Sequence, residues 1–534
     1  MSQLALIRNR GDKVTSRWMN EVNAALGNGF PASPATYTIA LDGTLYKARN
    51  GVDGTIVSSN VSPSVVAQAA IADSSDGCLI HMLRGTHTFT DTVTATDKHV
   101  IIQGDGPATV IVPPNHKYAF LFTSVPTGFG YPGGVRDLRI DGSAGTHTQG
   151  IKFDEVNHGF VSNVISSVAG EAGIGGIHIG DCYNIHVERC RSVSTLGSAY
   201  MMQHPSGTMT ADHMFDNCTA HDSVNGFYFD EGSAFQAVNC IALSCSNAGF
   251  YTQAAYSNGW FLQCIADQMT GSGNGFEITD AATHKAASIF LVNCQGNSSN
   301  YGLWIHGDTE PGENKGSVRE ITVTNSQFNV NRKCGLRIEG YVHYAGFTNC
   351  MFTHNNTDNV ATEDKTNIMI KNGPQFLEMN HCQTTWLVNG ITPPVDRGRI
   401  MRIWMDDSAL RNMNVRIKDM LMKDEGTGAN GIISLKNTDD TYAITFDFSD
   451  LKAADSGDTA TKGFEIDGGS TGTLDIHDYG AWMSPWTANL PTATVWREGQ
   501  MLYKRIGGGT TSKLYCCMKT AADTYEWKQV VASS

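Results

Sequence analysis

Asn217-Cys218, Gly226-Phe227-Tyr228-Phe229-Asp230, Asn239-Cys240, Gly249-Phe250-Tyr251-Thr252-Gln253, Gln263-Cys264 and Gly275-Phe276-Glu277-Ile278-Thr279 follow one another through the middle of the chain. This alternation of two signals decides the fold. The polar-Cys pair recurs outward at Arg189-Cys190, Asn293-Cys294, Asn349-Cys350 and His381-Cys382, with Asn325-Ser326 filling the one gap. Steps run from 22 residues, Cys218 to Cys240, up to 32, Cys294 to Ser326. A repeat of that length cannot bury its apolar face alone and must stack on its neighbours.

The Gly-led signal supplies the geometry. It continues at Gly150-Ile151-Lys152-Phe153-Asp154, Gly176-Ile177-His178-Ile179-Gly180, Ser198-Ala199-Tyr200-Met201-Met202, Gly302-Leu303-Trp304-Ile305-His306 and Gly335-Leu336-Arg337-Ile338-Glu339. Apolar residues at the first and third places after the leading residue alternate with polar or aromatic ones, the period-two mark of a strand with one buried face. No helical period of similar strength competes. Short strands, abundant Gly, Asn and Ser at the bends, and roughly 25 residues per turn predict an all-β chain, a parallel β-helix with one coil per repeat. The Asn before many of the cysteines is expected at a bend, where it tolerates a left-handed backbone.

Bulk composition fits. A solenoid grows by adding coils, so 534 residues need not mean several domains. A net charge of −14 argues against nucleic acid as a partner, and no basic run invites an anionic membrane. The opening Met1-Ser2-Gln3-Leu4-Ala5-Leu6-Ile7-Arg8 has too short an apolar run for a secretory signal, and no stretch reaches the length of a transmembrane helix. Thirteen cysteines sitting in repeat register read as small buried thiols. Neither Cys516-Cys517 nor the scattered histidines give zinc-ligand spacing, so no metal and no cofactor is expected.

Along the chain, residues 1–60 read as an adaptor. A helix is predicted to about residue 30, with Asp12 as N-cap and Val14, Trp18, Val22 and Leu26 on one face. Strands then follow around Asp42-Gly43 and Asn50-Gly51. Ser62-Pro63 starts a second helix, with Ser62 as cap, that would close the end of the first coil. The coils occupy 61–395. Residues 396–485 read either as further coils or as a separate β domain, and 486–534 as a small C-terminal β module.

Gly77-Cys78-Leu79-Ile80-His81-Met82-Leu83-Arg84-Gly85-Thr86-His87-Thr88-Phe89 and the Gly104-Asp105-Gly106 turn resemble the start of pectate-lyase-like right-handed β-helices. With the coils to about 390, the resemblance covers more than half the chain and implies a right-handed solenoid. It implies no particular chemistry, since that fold hosts lyases, hydrolases, esterases and plain binders. The stretch from Gly499 to Trp527 is similar to the C-terminal module of phage tail-fibre and tailspike proteins. The layout as a whole resembles a tailspike. That likeness implies a homotrimer on a virion tail, assembled in the host cytoplasm, joined to a tail or baseplate protein through its N-terminus and bound to a host surface glycan.

Aligning the strands puts Lys152, His178, Tyr200, Tyr228, Tyr251, Glu277, Trp304 and Arg337 in one exposed column, with Asp154, Asp230, Gln253, Thr279, His306 and Glu339 in the next. Adjacent coils lie about 4.8 Å apart, so Tyr200, Tyr228 and Tyr251 would form a ladder about 10 Å long. Sugar rings pack on such ladders while polar groups at the edges fix hydroxyls; aromatic ladders also form for stability alone. Tyr200, Tyr228, Tyr251, Trp304, His178, Arg337 and His306 are the candidate substrate contacts. Hydrolysis needs two carboxyls. Asp230 and Glu277, two coils and roughly 9.6 Å apart along the axis, are the candidate pair, near the upper end of the inverting range of about 6.5–9.5 Å. Glu231 is the substitute for Asp230. Elimination would need a cation to neutralise a uronate carboxylate and a base beside it, and no pectate-lyase calcium and arginine cluster is visible; hydrolysis fits better. Three readings stand: a spike that binds and, with a working pair, depolymerises a surface polysaccharide; a free polysaccharide lyase or glycoside hydrolase; and a noncatalytic adhesin or structural spike.

Overall fold

The computed structural model describes residues 35–478 apart from position 76, the connecting segments 125–132, 171–174, 204–210, 254–257, 280–287, 308–317, 358–365, 387–398, 407–410, 425–432, 456–463 and 467–473, and scattered positions at 231, 233, 356, 440 and 450–451; beyond 478 it describes 501–504, 513–521 and 524–532. The helix expected before residue 30 lies outside the described residues. The fold is a parallel β-helix, and the chain divides into two compact units, 1–191 and 192–534.

The first unit begins with an antiparallel hairpin, Ala35–Asp42 with Leu45–Asn50, turning at Gly43 with φ +68°. Ala35–Asp42 also pairs in parallel with Gly77–Met82, so the hairpin belongs to the sheet that opens the coils. A helix, Pro63–Asp73, buries Val66, Ala67, Ala70 and Ile71. Pro63 opens it, since its missing N–H would have had no partner there. Ser62 adopts the extended N-cap backbone, but its side chain makes no capping bond: the hydroxyl lies 2.9 Å from Ser64 Oγ and 2.7 Å from Thr90 Oγ1. The expectation of a serine side-chain cap is corrected accordingly; two neighbouring hydroxyls outcompete the helix N–H groups. At the other end Lys98 Nζ donates to the carbonyls of Ile71 and Ser74, at 2.8 and 2.5 Å.

The helix closes an open edge through one side chain. Among the described residues Val93–Thr96 is the terminal strand of its sheet, paired with Tyr118–Thr123. Gln68 Nε2 donates to Thr94 O at 2.9 Å, and Thr94 N donates back to Gln68 Oε1 at 2.9 Å. The amide thus takes up backbone groups that an adjacent strand would otherwise bind.

In the second unit each coil repeats three strands. Asn225–Asp230, Ala234–Val238 and Ile241–Leu243 make one; Ala248–Gln253, Asn258–Leu262 and Ile265–Asp267 make the next. Parallel register sets Phe227 on Phe250 and Phe250 on Phe276. Their rings stack at 4.8 Å in both steps, tilted by only 6° and 8°. The chain turns on left-handed residues: Asn217, Asn239, Gln263, Asn293, Asn325, Asn349 and His381 have φ of 51–55°. The following thiols, from Cys218 to Cys382, and Ser326 between them, point inward and are buried. Cys240 Sγ, for instance, donates to Phe215 O of the preceding coil at 3.4 Å. Burial pushes the Cys245 thiol up to about 12 and Cys240 in the same direction, so these two remain protonated. Parallel pairing runs on through Thr366–Lys371, Arg399–Met405, Ile433–Asn437 and Phe464–Ile466. Within 396–485, which the sequence leaves open between further coils and a separate β domain, the described strands up to residue 478 keep this parallel pairing. Met501–Lys504, Lys513–Ala521 and Thr524–Ala532 form an antiparallel three-stranded sheet.

Candidate functional site

The strands Asn225–Asp230, Ala248–Gln253, Asn274–Thr279, Leu303–His306 and Leu336–Glu339 align Tyr228, Tyr251, Glu277, Trp304 and Arg337 in one column. Asp230, Gln253, Thr279, His306 and Glu339 align in the second. Alternation makes both columns inevitable once Phe227, Phe250, Phe276 and Leu303 face the core. Tyr228 and Tyr251 stack with centroids 5.2 Å apart and planes tilted by 19°, and Tyr228 donates its hydroxyl to Gln253 Oε1 at 3.0 Å. Burial, and then the charges of Glu277 and Asp230, push the Tyr251 phenol far above its ordinary range. Tyr251 is thus the neutral group that both carboxylates of the candidate pair feel.

Glu277 is buried, 6% exposed, yet lies in the outward column. Asn274 Nδ2 donates to its Oε2 at 2.7 Å, and His306 Nε2 lies 3.1 Å from its Oε1. His306 is held in turn by Thr279 Oγ1, 3.2 Å from Nδ1, and by Trp304, on which it stacks at 4.2 Å. Trp304 donates Nε1 to Glu339 Oε1 at 3.0 Å. Arg337 grips Glu339 Oε2 through Nε and NH2 at 3.0 and 2.6 Å and donates through NH1 to Tyr301 at 2.8 Å. From Asn274 to Arg337 the side chains form two hydrogen-bonded groups joined by the His306–Trp304 stack.

Two sequence expectations change. Tyr200 is a core residue: it is in register with Phe227, stacks on it at 4.5 Å and 7°, and donates its hydroxyl to Thr219 O at 3.1 Å. Ala199, not Ser198, takes the place of the glycine, which moves every later residue to the opposite face; Met201 holds the position beside Tyr228. His178 belongs to the first unit, where it is buried at 4% exposure with Nδ1 2.9 Å from the Tyr118 hydroxyl. Glu231 lies outside the described residues. Asn274 and Tyr301 were missed, although each immediately precedes the repeating glycine, at Gly275 and Gly302, and so marks a fixed place at the strand entrance.

The first unit carries its own furrow of about 390 Å³, lined by Arg136, Phe160, Ser162, His186, Glu188 and Arg189 among others. Hydrogen bonds from Ser162 and Arg189 hold the Glu188 carboxyl below its usual range. Asp137 lines the same furrow, but Glu188 is tied to the adjacent arginine and no aromatic stack is described along it. The column around Glu277 is the stronger candidate. Among the described residues no group of three or more His, Cys, Asp or Glu side chains is placed to hold a metal.

Comparison with known proteins agrees with this fold. The model of the right-handed β-helix region family matches residues 149–315, and the fold is a right-handed parallel β-helix. No curated protein matches the chain. Among solved structures, the A-module of the mannuronan C-5 epimerase AlgE6 of Azotobacter vinelandii is 14% identical, with a TM-score of 0.40 over 78% of this chain and 95% of that one. Tailspike protein 3 of bacteriophage CBA120 is 13% identical, with a TM-score of 0.41 over 96% and 76%. The catalytic domain of a GH87 α-1,3-glucanase is 12% identical, with a TM-score of 0.42 over 83% and 70%. Nothing about the chemistry of this chain follows from likenesses at that level.

Proposed function

We propose that this chain is a tailspike-type protein that binds a cell-surface polysaccharide along the Tyr228–Arg337 face and cleaves it by hydrolysis, with Asp230 and Glu277 as the carboxyl pair. One observation carries the reading: the Tyr228–Tyr251 stack ends directly on Glu277, a buried carboxylate wired to His306, with Asp230 beside the same stack. A stacked phenol pair gives a sugar ring its apolar platform, and the carboxyls flank the next position along it. Glu277 accepts hydrogen bonds at both oxygens, from Asn274 and on the His306 side, which fits the base or nucleophile. Asp230 is left as the acid. The layout also supports the reading, with a hairpin and capping helix at the start, coils through the middle and an antiparallel C-terminal sheet.

The test is fragment analysis of capsular or surface glycans from candidate hosts after incubation with the full chain. Cleavage with saturated ends, reduced at least about 100-fold in both Asp230→Asn and Glu277→Gln, is the expected outcome for a general acid-base pair. Unsaturated ends would move the reaction to elimination. Bound but intact glycan would retire the pair and leave a receptor-binding spike, a role the fully engaged Glu277 also suits. Co-purification with virion tails tests the viral setting.

A further inference from the structure

Past Arg337 the two columns continue, and their character changes. Arg337 is followed in register by Met369, Arg402 and Ser434; Glu339 is followed by Lys371, Trp404 and Lys436. Trp404 sits between the two lysines, one from each flanking coil, with Lys371 Nζ 4.6 Å and Lys436 Nζ 4.8 Å from its ring centroid. Arg402 Cζ lies 5.2 Å from the same ring. With ammonium groups over it, the indole is no platform for a sugar; it is a spacer that holds like charges at fixed intervals by cation–π attraction. Its Nε1 is covered and meets no acceptor among the described residues, which leaves a donor for an incoming oxygen once a lysine swings aside.

Arg337, Lys371, Arg402 and Lys436 come from four successive coils and so span about 14 Å along the axis. Glu339 and Asp406 are the carboxylates described among them, bound to Arg337 and 3.5 Å from Lys371 respectively. No ion pair is described for Lys436. In a chain of net charge −14, this run of cations stands out. The same columns carry Asp230 and Glu277 at their other end, so the face is electrically polar along its length.

We propose that the Arg337–Lys436 stretch is a subsite for the acid groups of an anionic polysaccharide, with carboxylate-bearing sugars as the class it takes. The inference rests on the glycan-binding reading and narrows it. Beyond the two cations that have carboxylate neighbours, Arg402 and Lys436 stand one coil apart, a spacing that suits a polymer with a charge on every residue or every second one, drawn to this end and repelled from the Glu277 end. A nucleic acid, with a phosphate on every unit, would meet that acidic end unfavourably, as it would the net charge.

The test compares polygalacturonate with dextran of matched length, bound to the full chain at low and moderate salt. Wild type is expected to retain polygalacturonate at 20 mM salt, with affinity falling at least tenfold by 200 mM and at least tenfold in the Arg402→Gln/Lys436→Gln double variant. The charge-keeping double variant Arg402→Lys/Lys436→Arg should retain most of the affinity, which loss of charge in the first double variant explains and a folding defect would not. Polygalacturonate binding absent from wild type, or unchanged in the double variant, overturns the subsite. Equal retention of a single-stranded DNA oligomer overturns the sugar class. Tyr251→Ala separates the two readings: if it abolishes binding while the cation variants leave it intact, the groove stands and the acidic subsite falls. If only the cation variants weaken binding, the groove reading falls.

Discussion

His178 shows at the scale of one residue how burial becomes a pH dependence. Burial, with a smaller contribution from the Lys152 charge, pulls its imidazole down to about 3, and the Tyr118 hydroxyl satisfies Nδ1. Below about pH 6.5 the unfolded chain takes up a proton that the folded chain refuses. Its contribution is therefore complete above that pH and falls by about 1.4 kcal/mol per unit as the pH drops towards 3. Burial shifts His87 and His99 the same way, so the acid limb is a sum. The expected result is a shallower fall of the urea midpoint between pH 6 and 4 in His178→Gln than in wild type; parallel curves would mean that the ring is protonated in the fold. Individual residues were legible in the sequence as far as alternation could be anchored. Tyr228, Tyr251, Glu277, Trp304, His306 and Arg337 are placed by a glycine at the start of the strand, and the structure sets them on one face. Tyr200 has Ala199 where its neighbours have glycine, and without that anchor a register error of one residue turned a core ring into an exposed one.

For the single coil, the glycine that marks the strand is a packing requirement. A Cβ on Gly226 would stand 2.5 Å from Gly249 O and 2.8 Å from Ala242 Cβ. At Gly249 the next coil repeats the crowding, with Gly275 O at 2.8 Å. Gly226→Ala should therefore destabilise by about 1–3 kcal/mol, the range for overpacking, although alanine is ordinarily the easier residue to fold. Chemical denaturation reads it, and a neutral or stabilising result would mean that adjacent coils can part locally. Elements were legible where backbone geometry demands a residue type: the left-handed corners were visible in the Asn-Cys pairs because asparagine tolerates φ near +50°. The side-chain partners of elements were not. Ser62 read as a cap, but its hydroxyl is shared between Ser64, two positions on, and Thr90, 28 positions away, and that distant partner was not visible. The Gln68–Thr94 exchange that closes the sheet is equally non-local.

For the whole chain, contacts between neighbouring coils dominate, so stability is a sum of local terms and cooperativity is limited. Eight of the nine tryptophans, from Trp260 to Trp527, fall in the second unit. Tryptophan fluorescence should therefore follow that unit, and its urea transition should not coincide with the far-ultraviolet circular dichroism transition, which sees both units. Superposed transitions would show one cooperative body. The architecture was legible at this scale because a period repeated many times averages out local error. It faded after Arg397, where alternation survives but the Asn-Cys corners stop, and the Trp404 cluster lay beyond the last strand that the glycine signal could align.

The register of the coils also sets the terms on which such a protein can evolve. Any distance along its working face, from the Tyr228 stack to Glu277 or from Glu277 to the Trp404 cations, is a whole number of coil steps, each about 4.8 Å. Point substitution can recolour a position on that scale but cannot move it. Only the gain or loss of a complete repeat can, and each such event would shift everything beyond it by one step while leaving the core stack intact. Reach towards a longer or shorter target is therefore inherited in integers, like beads on an abacus wire.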